Sequence, residues 1–164
     1  MDPVSASIVI DRPREEVFEY LADIANHAEF TDHWLTEWRL TRIDSYGRGA
    51  GARFKGARKG ERYAYGDMTF VEVEPPYRIV AAGRGGKFNR NKTWTTWTLE
   101  PSGQATRVEV TTETEPALLT DRIMEGVMLK RGWIKGRLRK ALSRLQSILE
   151  EDLDRGERVT VGGL

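Results

Sequence analysis

A chain of 164 residues is the size of one ordinary domain, long enough to bury a core without disulfides or metal staples. Its 39% apolar and 31% charged content excludes an intrinsically disordered or membrane-embedded chain and fits a globular domain. With no cysteine, disulfides, thiolate metal sites and a cysteine nucleophile are excluded, while a formal net charge of +1 names no partner by itself.

Residues 1–10 lack a basic region followed by an apolar run, and no stretch approaches the ~18 apolar residues of a membrane span. Neither secretion nor insertion is expected, and the reading is a cytoplasmic protein. Within residues 4–10, Val4, Ala6, Ile8 and Ile10 alternate with Ser5, Ser7 and Val9, which predicts a half-buried strand. Asp11 offers a helix cap, Pro13 suits an early helical position, and Glu15 and Glu16 favour the first turn. Val17, Phe18, Leu21 and Ala22 make one apolar stripe, so a short helix is expected over 13–23. Asn26 can cap a second short helix reaching about His33.

From Leu35 to Thr114 the pattern is one of strands and tight turns. Trp38 and Leu40 alternate with Glu37, Arg39 and Thr41; strands are then expected over 52–58, 62–73, 78–88, 92–99 and 106–114. Their short connections favour an antiparallel meander, because parallel strands need a long crossover. Strand parity makes conditional assignments. If Val71 and Val73 point inward, Tyr63, Tyr65, Asp67 and Thr69 share their face; if Leu99 points inward, so do Trp97, Thr95 and Thr93.

Pro116 ends the last strand, and from Ala117 the period becomes helical. Ile123, Val127, Ile134, Leu138, Ala141, Leu145 and Ile148 recur at three, four and seven, which predicts a helix to about Asp152, roughly 50 Å long at ~1.5 Å per residue. Gly126, Gly132 and Gly136 lie within it, each costing about 1 kcal/mol relative to alanine. Such a cost is explained by close packing, a bend, or space left for a ligand. Residues 153–164 carry no periodicity and are expected to be a disordered tail. The expected organisation is one domain over 1–152.

Charge is unevenly placed. Residues 1–32 carry eight acids against two bases, whereas residues 130–144 carry seven bases and no acid. Two solvated helix faces of opposite sign account for this; the sharper alternative is a basic face for anionic lipid or RNA.

The order of strand, two short helices, six-stranded meander and long C-terminal helix predicts an α+β fold. Its residues are Ile8 to Ile10 followed by Asp11-Arg12-Pro13-Arg14-Glu15-Glu16-Val17-Phe18, the Val73-Glu74-Pro75-Pro76-Tyr77-Arg78-Ile79 turn, Trp97-Thr98-Leu99-Glu100-Pro101 and the strand start Thr106-Arg107-Val108. This combination resembles the helix-grip fold of the SRPBCC superfamily, which includes the START lipid-transfer domains, the birch pollen allergen and polyketide cyclase/dehydrase-like proteins. The likeness covers about residues 4–150 and implies a curved antiparallel sheet wrapped around the long helix, with a cavity for lipids, sterols, hormones, quinones or polyketides. The matching motifs are structural, and fold alone selects no reaction.

The chain has no Gly-x-Ser-x-Gly, no His-Glu-x-x-His and no phosphate-binding loop. Gly83-Arg84-Gly85-Gly86 does not open a helix, and a bulge or close backbone approach explains it better. The two histidines, His27 and His33, are too few for a metal site and are read as surface or capping residues. No metal and no cofactor are expected. Large aromatics in the sheet and helix can line a pocket, so the candidate ligand-binding residues are Trp38, Phe54, Tyr63, Tyr65, Trp97, Met124, Val127, Gly132, Trp133 and Gly136.

The leading reading is therefore a protein that binds, and transports or sequesters, a hydrophobic small molecule such as a lipid, polyketide or quinone. The alternative is a cyclase or dehydratase using the same cavity, with Asp67 as the candidate acid or base if a regular strand carries it into an apolar hollow. A third reading is a peripheral module whose basic helix face meets a membrane or RNA. Weak contact with an anionic membrane is the most that is expected of that face, nucleic acid is not an expected partner, and the chain is read as a monomer or homodimer.

Overall fold

The computed structural model describes residues 2–56, 65–86, 89–115, 130–153 and 155–161. Strand β1 (Val4–Ile10) buries Val4, Ala6 and Ile10 through its period of two. Helix α1 (Arg14–Ala22) follows, burying Val17, Phe18, Leu21 and Ala22. Pro13, rather than Asp11, occupies its N-cap position, and no side chain caps it. Asp11 is used elsewhere, its backbone N–H donating to Glu150 Oε1 at 2.6 Å. A 3₁₀ turn (Ile24–Asn26), capped by Asp23 Oδ1 on the N–H of Ala25 at 3.1 Å, leads into α2 (His27–Thr31).

Strands β2 (Leu35–Leu40), β3 (Gly51–Gly56), β4 (Tyr65–Glu74), β5 (Arg78–Gly85), β6 (Asn91–Ser102) and β7 (Ala105–Glu115) complete the sheet. Its order is β1-β7-β6-β5-β4-β3-β2, every neighbouring pair antiparallel. Helix α3 (Lys130–Glu151) lies across it and buries Ile134, Leu138, Ala141, Leu142, Leu145 and Ile148 on one stripe, the face its period of three and four predicts. The expected start of this helix near residue 117 lies outside the described residues. At its far end Gln146 Nε2 donates to Val9 O at 2.9 Å and Arg12 Nη2 donates to Glu150 O at 2.8 Å, tying α3 to β1 and the start of α1. The result is the α+β helix-grip architecture, a curved seven-stranded antiparallel sheet around one long helix. Among the described residues no helix is long and apolar enough to cross a membrane.

The tail differs from expectation. Residues 155–161 turn back over the short helices, where the N–H groups of Gly156 and Val159 donate to Glu29 O and Ala25 O at 2.9 and 3.1 Å. Arg155 pairs with the buried Glu29 carboxylate at 2.8 Å, and Arg158 with Asp23 at 2.5 Å. Val159 is fully buried in the core. One apolar side chain and two arginines anchor the segment without any sequence period, which is why periodicity did not find it.

Candidate functional site

Antiparallel register sorts the inner face of the sheet into rows. Ile79, Trp97 and Val110 form one; Phe70, Ala81, Thr95 and Thr112 form the next. Gly83, Thr93 and Thr114 form a third, and Phe54, Gly66, Gly85 and Asn91 a fourth. Side chains fill the first row. Toward the fourth, β5 presents only Ala81, Gly83 and Gly85 at its successive inward positions, and nothing on that strand occupies the space beneath α3.

The consequence is a cavity of about 290 Å³ between the sheet, α2 and α3. Trp38, Phe30, Trp97, Leu138 and Leu142 give it an apolar interior, whereas Thr93, Thr95, Thr112, Thr114 and Asn91 form a polar stripe along β6 and β7. Trp34 and Trp133 meet edge to face at 6.0 Å between centroids, and the Arg137 guanidinium lies 5.2 Å from the Trp133 ring centre. Such rings contribute a large apolar surface with a defined orientation.

Gly83 is required by backbone contact, since a Cβ there would lie 1.9 Å from the carbonyl oxygen of Asp67. The close approach expected of the Gly83-Arg84-Gly85-Gly86 run is therefore present. Gly66 sits against the Phe54 ring, 3.1 Å from where its Cβ would be. Gly85 differs, because its added Cβ would meet nothing nearer than 3.7 Å.

The expected site residues fall in different places. Trp38 and Trp97 are buried in the wall, Phe54 is half-buried in it with its ring 4.9 Å from that of Trp38, and Trp133 lines it while remaining 40% exposed. Tyr65 borders the cavity, its hydroxyl donating to Glu37 Oε2 at 2.7 Å. Tyr63, Met124 and Val127 lie outside the described residues. Gly132 and Gly136 are a correction: both are exposed on the side of α3 opposite Ile134 and Leu138, and among the described residues an added Cβ meets no atom within 4 Å. Among the described residues neither lines the cavity; the glycines that do are Gly56, Gly66, Gly83, Gly85 and Gly86.

Asp67 is also displaced from its expected position. Val73 pairs with the buried Ile79 and Phe70 with the buried Ala81, so an extra residue, Val71, is accommodated between them and stands 43% exposed. That bulge reverses the parity of β4 below it. Gly66, Met68 and Phe70 face inward, and Asp67 takes the other face at the cavity border, half-buried, with Oδ1 accepting the backbone N–H of Arg84 at 2.9 Å. On β6, where no bulge intervenes, Leu99 and Trp97 are buried, Thr95 and Thr93 line the cavity, and Trp94 is not part of its wall.

His27 is not a surface residue, although its backbone N–H closes the 3₁₀ turn by donating to Ile24 O. It is 1% exposed, forms part of the cavity wall, and packs its ring 5.0 Å from Trp97, 5.2 Å from Phe30 and 5.5 Å from Phe70. Burial pulls its pKa down to about 4 against the opposing hydrogen bond to Leu21 O, so the imidazole is neutral at pH 7. Burial also lowers the His33 pKa, helped by Lys140, Arg144 and Arg137. Sequence offered no signal for His27, because a five-residue helix buried on every side has no polar face. The alternation Ala81-x-Gly83-x-Gly85 was such a signal for the hollow, as small residues at period two thin one face of a strand. No group of three metal-ligating side chains occurs among the described residues.

Comparison with known proteins agrees with this geometry. A family model described as polyketide cyclase / dehydrase and lipid transport matches residues 1–150. No curated protein matches the chain. Among solved structures, KanY is similar with a TM-score of 0.72 at 13% identity, over 90% of this chain and 97% of that one. Norcoclaurine synthase from Thalictrum flavum has a TM-score of 0.69 at 13% identity, over 92% and 94% of the two chains. DynU16, a protein of the dynemicin biosynthetic locus, has a TM-score of 0.61 at 22% identity, over 95% of this chain and 50% of its own. At these identities the structural likenesses establish the fold, while the family match covers nearly the whole chain. The seven-stranded grip around α3 and the match over residues 1–150 together make this chain a member of the polyketide cyclase/dehydrase and lipid transport family, within the SRPBCC superfamily.

Proposed function

We propose that this chain binds one hydrophobic small molecule, such as a lipid, polyketide or quinone, in the cavity between the sheet and α3, and holds or transports it. The observation that carries this reading is the hollow of about 290 Å³, left by Ala81, Gly83 and Gly85 opposite a wall of aromatic rings. A cavity of this kind, apolar with a few convergent polar groups, is the usual form of a small-molecule site. Family membership supports the same reading, since the family description names both cyclases and lipid transport.

A cyclase or dehydratase acting in the same cavity needs an acid or base on the ligand. Among the described lining residues only His27, Tyr65, Asp67 and Arg84 ionise. Asp67 is turned away from the apolar interior, Tyr65 is engaged with Glu37, and His27, bonded to Leu21 O at 2.8 Å with its pKa drawn down to about 4, is only a weak base. Binding without chemistry therefore has the stronger support.

The test is a titration with the neutral fluorescent probe N-phenyl-1-naphthylamine. Saturable uptake by the native protein is expected, with loss of roughly tenfold or more in affinity for Gly85→Leu, whose side chain has room to enter the cavity without backbone collision. Undiminished binding by a folded Gly85→Leu variant would place the site elsewhere.

A further inference from the structure

Two threonines on the inner face of the sheet form a hydrogen-bonded chain that ends on a backbone carbonyl, and satisfying every bond in it sets a direction for its protons. Thr112 Oγ1 donates to the backbone carbonyl of Trp94 at 3.2 Å. Thr95 Oγ1 lies 3.2 Å from Thr112 Oγ1, across the directly paired positions of β6 and β7. A hydroxyl has one proton and two lone pairs, and a carbonyl oxygen can only accept. With the Thr112 proton given to Trp94, the proton between the two threonines belongs to Thr95. The Thr95 oxygen then has none left for the cavity it lines, and faces a bound molecule as an acceptor.

His27, in the same cavity wall, carries the same polarity. Its Nε2 lies 2.8 Å from Leu21 O, so Nε2 holds the ring proton and donates it. Because the ring is neutral at pH 7, Nδ1 is left as a lone pair, with no hydrogen-bond partner among the described residues. Arg84 is the only cationic side chain among the described lining residues, and it is exposed at the cavity border. A carboxylate placed against Thr95 would meet an acceptor and no counter-charge, which is costly in an apolar surrounding. A carbonyl or ether there would also face an acceptor. A hydroxyl or N–H would be satisfied.

We propose that the cavity selects a neutral ligand carrying a hydroxyl or N–H donor on its apolar body, and that Thr95 is the acceptor that sets this preference. The proposal rests on the reading of the cavity as a ligand site and adds the chemical class of the occupant.

The test is calorimetric titration at pH 7 with three molecules of nearly one shape: 2-naphthol, 2-methoxynaphthalene and 2-naphthoate. The wild type is expected to bind 2-naphthol roughly tenfold more tightly than 2-methoxynaphthalene, the effect of one net hydrogen bond, with 2-naphthoate weakest. Thr95→Val should bring 2-naphthol down to the level of 2-methoxynaphthalene while leaving the latter within about twofold, and Thr95→Ser should retain the preference. Equal binding of 2-naphthol and 2-methoxynaphthalene by the wild type would overturn the proposal, and that ranking needs no variant to fold. Thr95→Val weakening all three alike would also overturn it, by reducing Thr95 to a packing role. Failure of all three to bind the native protein would instead overturn the cavity reading beneath it.

Discussion

The carbonyl oxygen of Asp67 on β4 stands 1.9 Å from the point where a Cβ on Gly83 of β5 would lie. No side chain can begin at residue 83 without moving one of the two backbones, so the strand is bare where it lines the cavity. Close strand contact and empty space above it have the same cause.

That relationship separates the glycines of this chain into two classes. Gly83→Ala should destabilise the fold by about 2–3 kcal/mol through forced backbone displacement. Gly136→Ala, on the open face of α3, should instead stabilise it by about 1 kcal/mol and leave probe affinity unchanged. Urea denaturation of both variants, with N-phenyl-1-naphthylamine titration of the second, checks the pair. A stable Gly83→Ala protein, or a Gly136→Ala protein with impaired uptake, would return the cavity-forming role to the helix.

His27 makes stability depend on pH in a defined window. Its folded-state pKa of about 4 lies below the ordinary 6.5, so as pH falls the unfolded chain takes up the proton first. The stabilisation is fully present above about pH 7.5 and is lost as pH falls from 6.5 toward 4. It amounts to about 3 kcal/mol at most. His33 acts in the same direction, so a comparison with a His27 variant is needed to isolate the effect. Urea midpoints at pH 7.5 and 4.5 should fall steeply for the wild type and less for His27→Leu, which begins less stable because the Leu21 carbonyl loses its partner. Identical pH dependence in the two proteins would remove His27 from the account.

The segment after α3 contributes to stability through one side chain. Val159 is fully buried, so Val159→Ala should cost about 2 kcal/mol, read as a lower urea midpoint. A variant indistinguishable from the wild type would mean that residues 155–161 are not held against the core in solution.

The sheet, the short helices and the C-terminal helix were legible because each buries one face and so writes a period of two or of three to four into the chain. Parity also placed Thr93, Thr95 and Trp97 together, since β6 pairs without interruption along its inner positions. It failed on β4 for a physical reason: the bulge at Val71 belongs to the pairing of β4 with β5 and is not written in either strand alone. His27 and Val159 were missed because each is buried by tertiary contacts of a short segment. Gly132 and Gly136 were assigned to the cavity on the cost of glycine in a helix, which gives no direction around the helix axis.

The most direct test of the central claim is chemical-shift mapping of the ¹⁵N-labelled protein titrated with N-phenyl-1-naphthylamine. Perturbations are expected at Gly83, Gly85, Thr93, Thr95, Thr112 and Ala141, saturating together at one probe per chain. Shifts confined to the outer face of α3, around Lys135 and Arg139, or no shifts until the protein unfolds, would contradict a ligand site between the sheet and the helix.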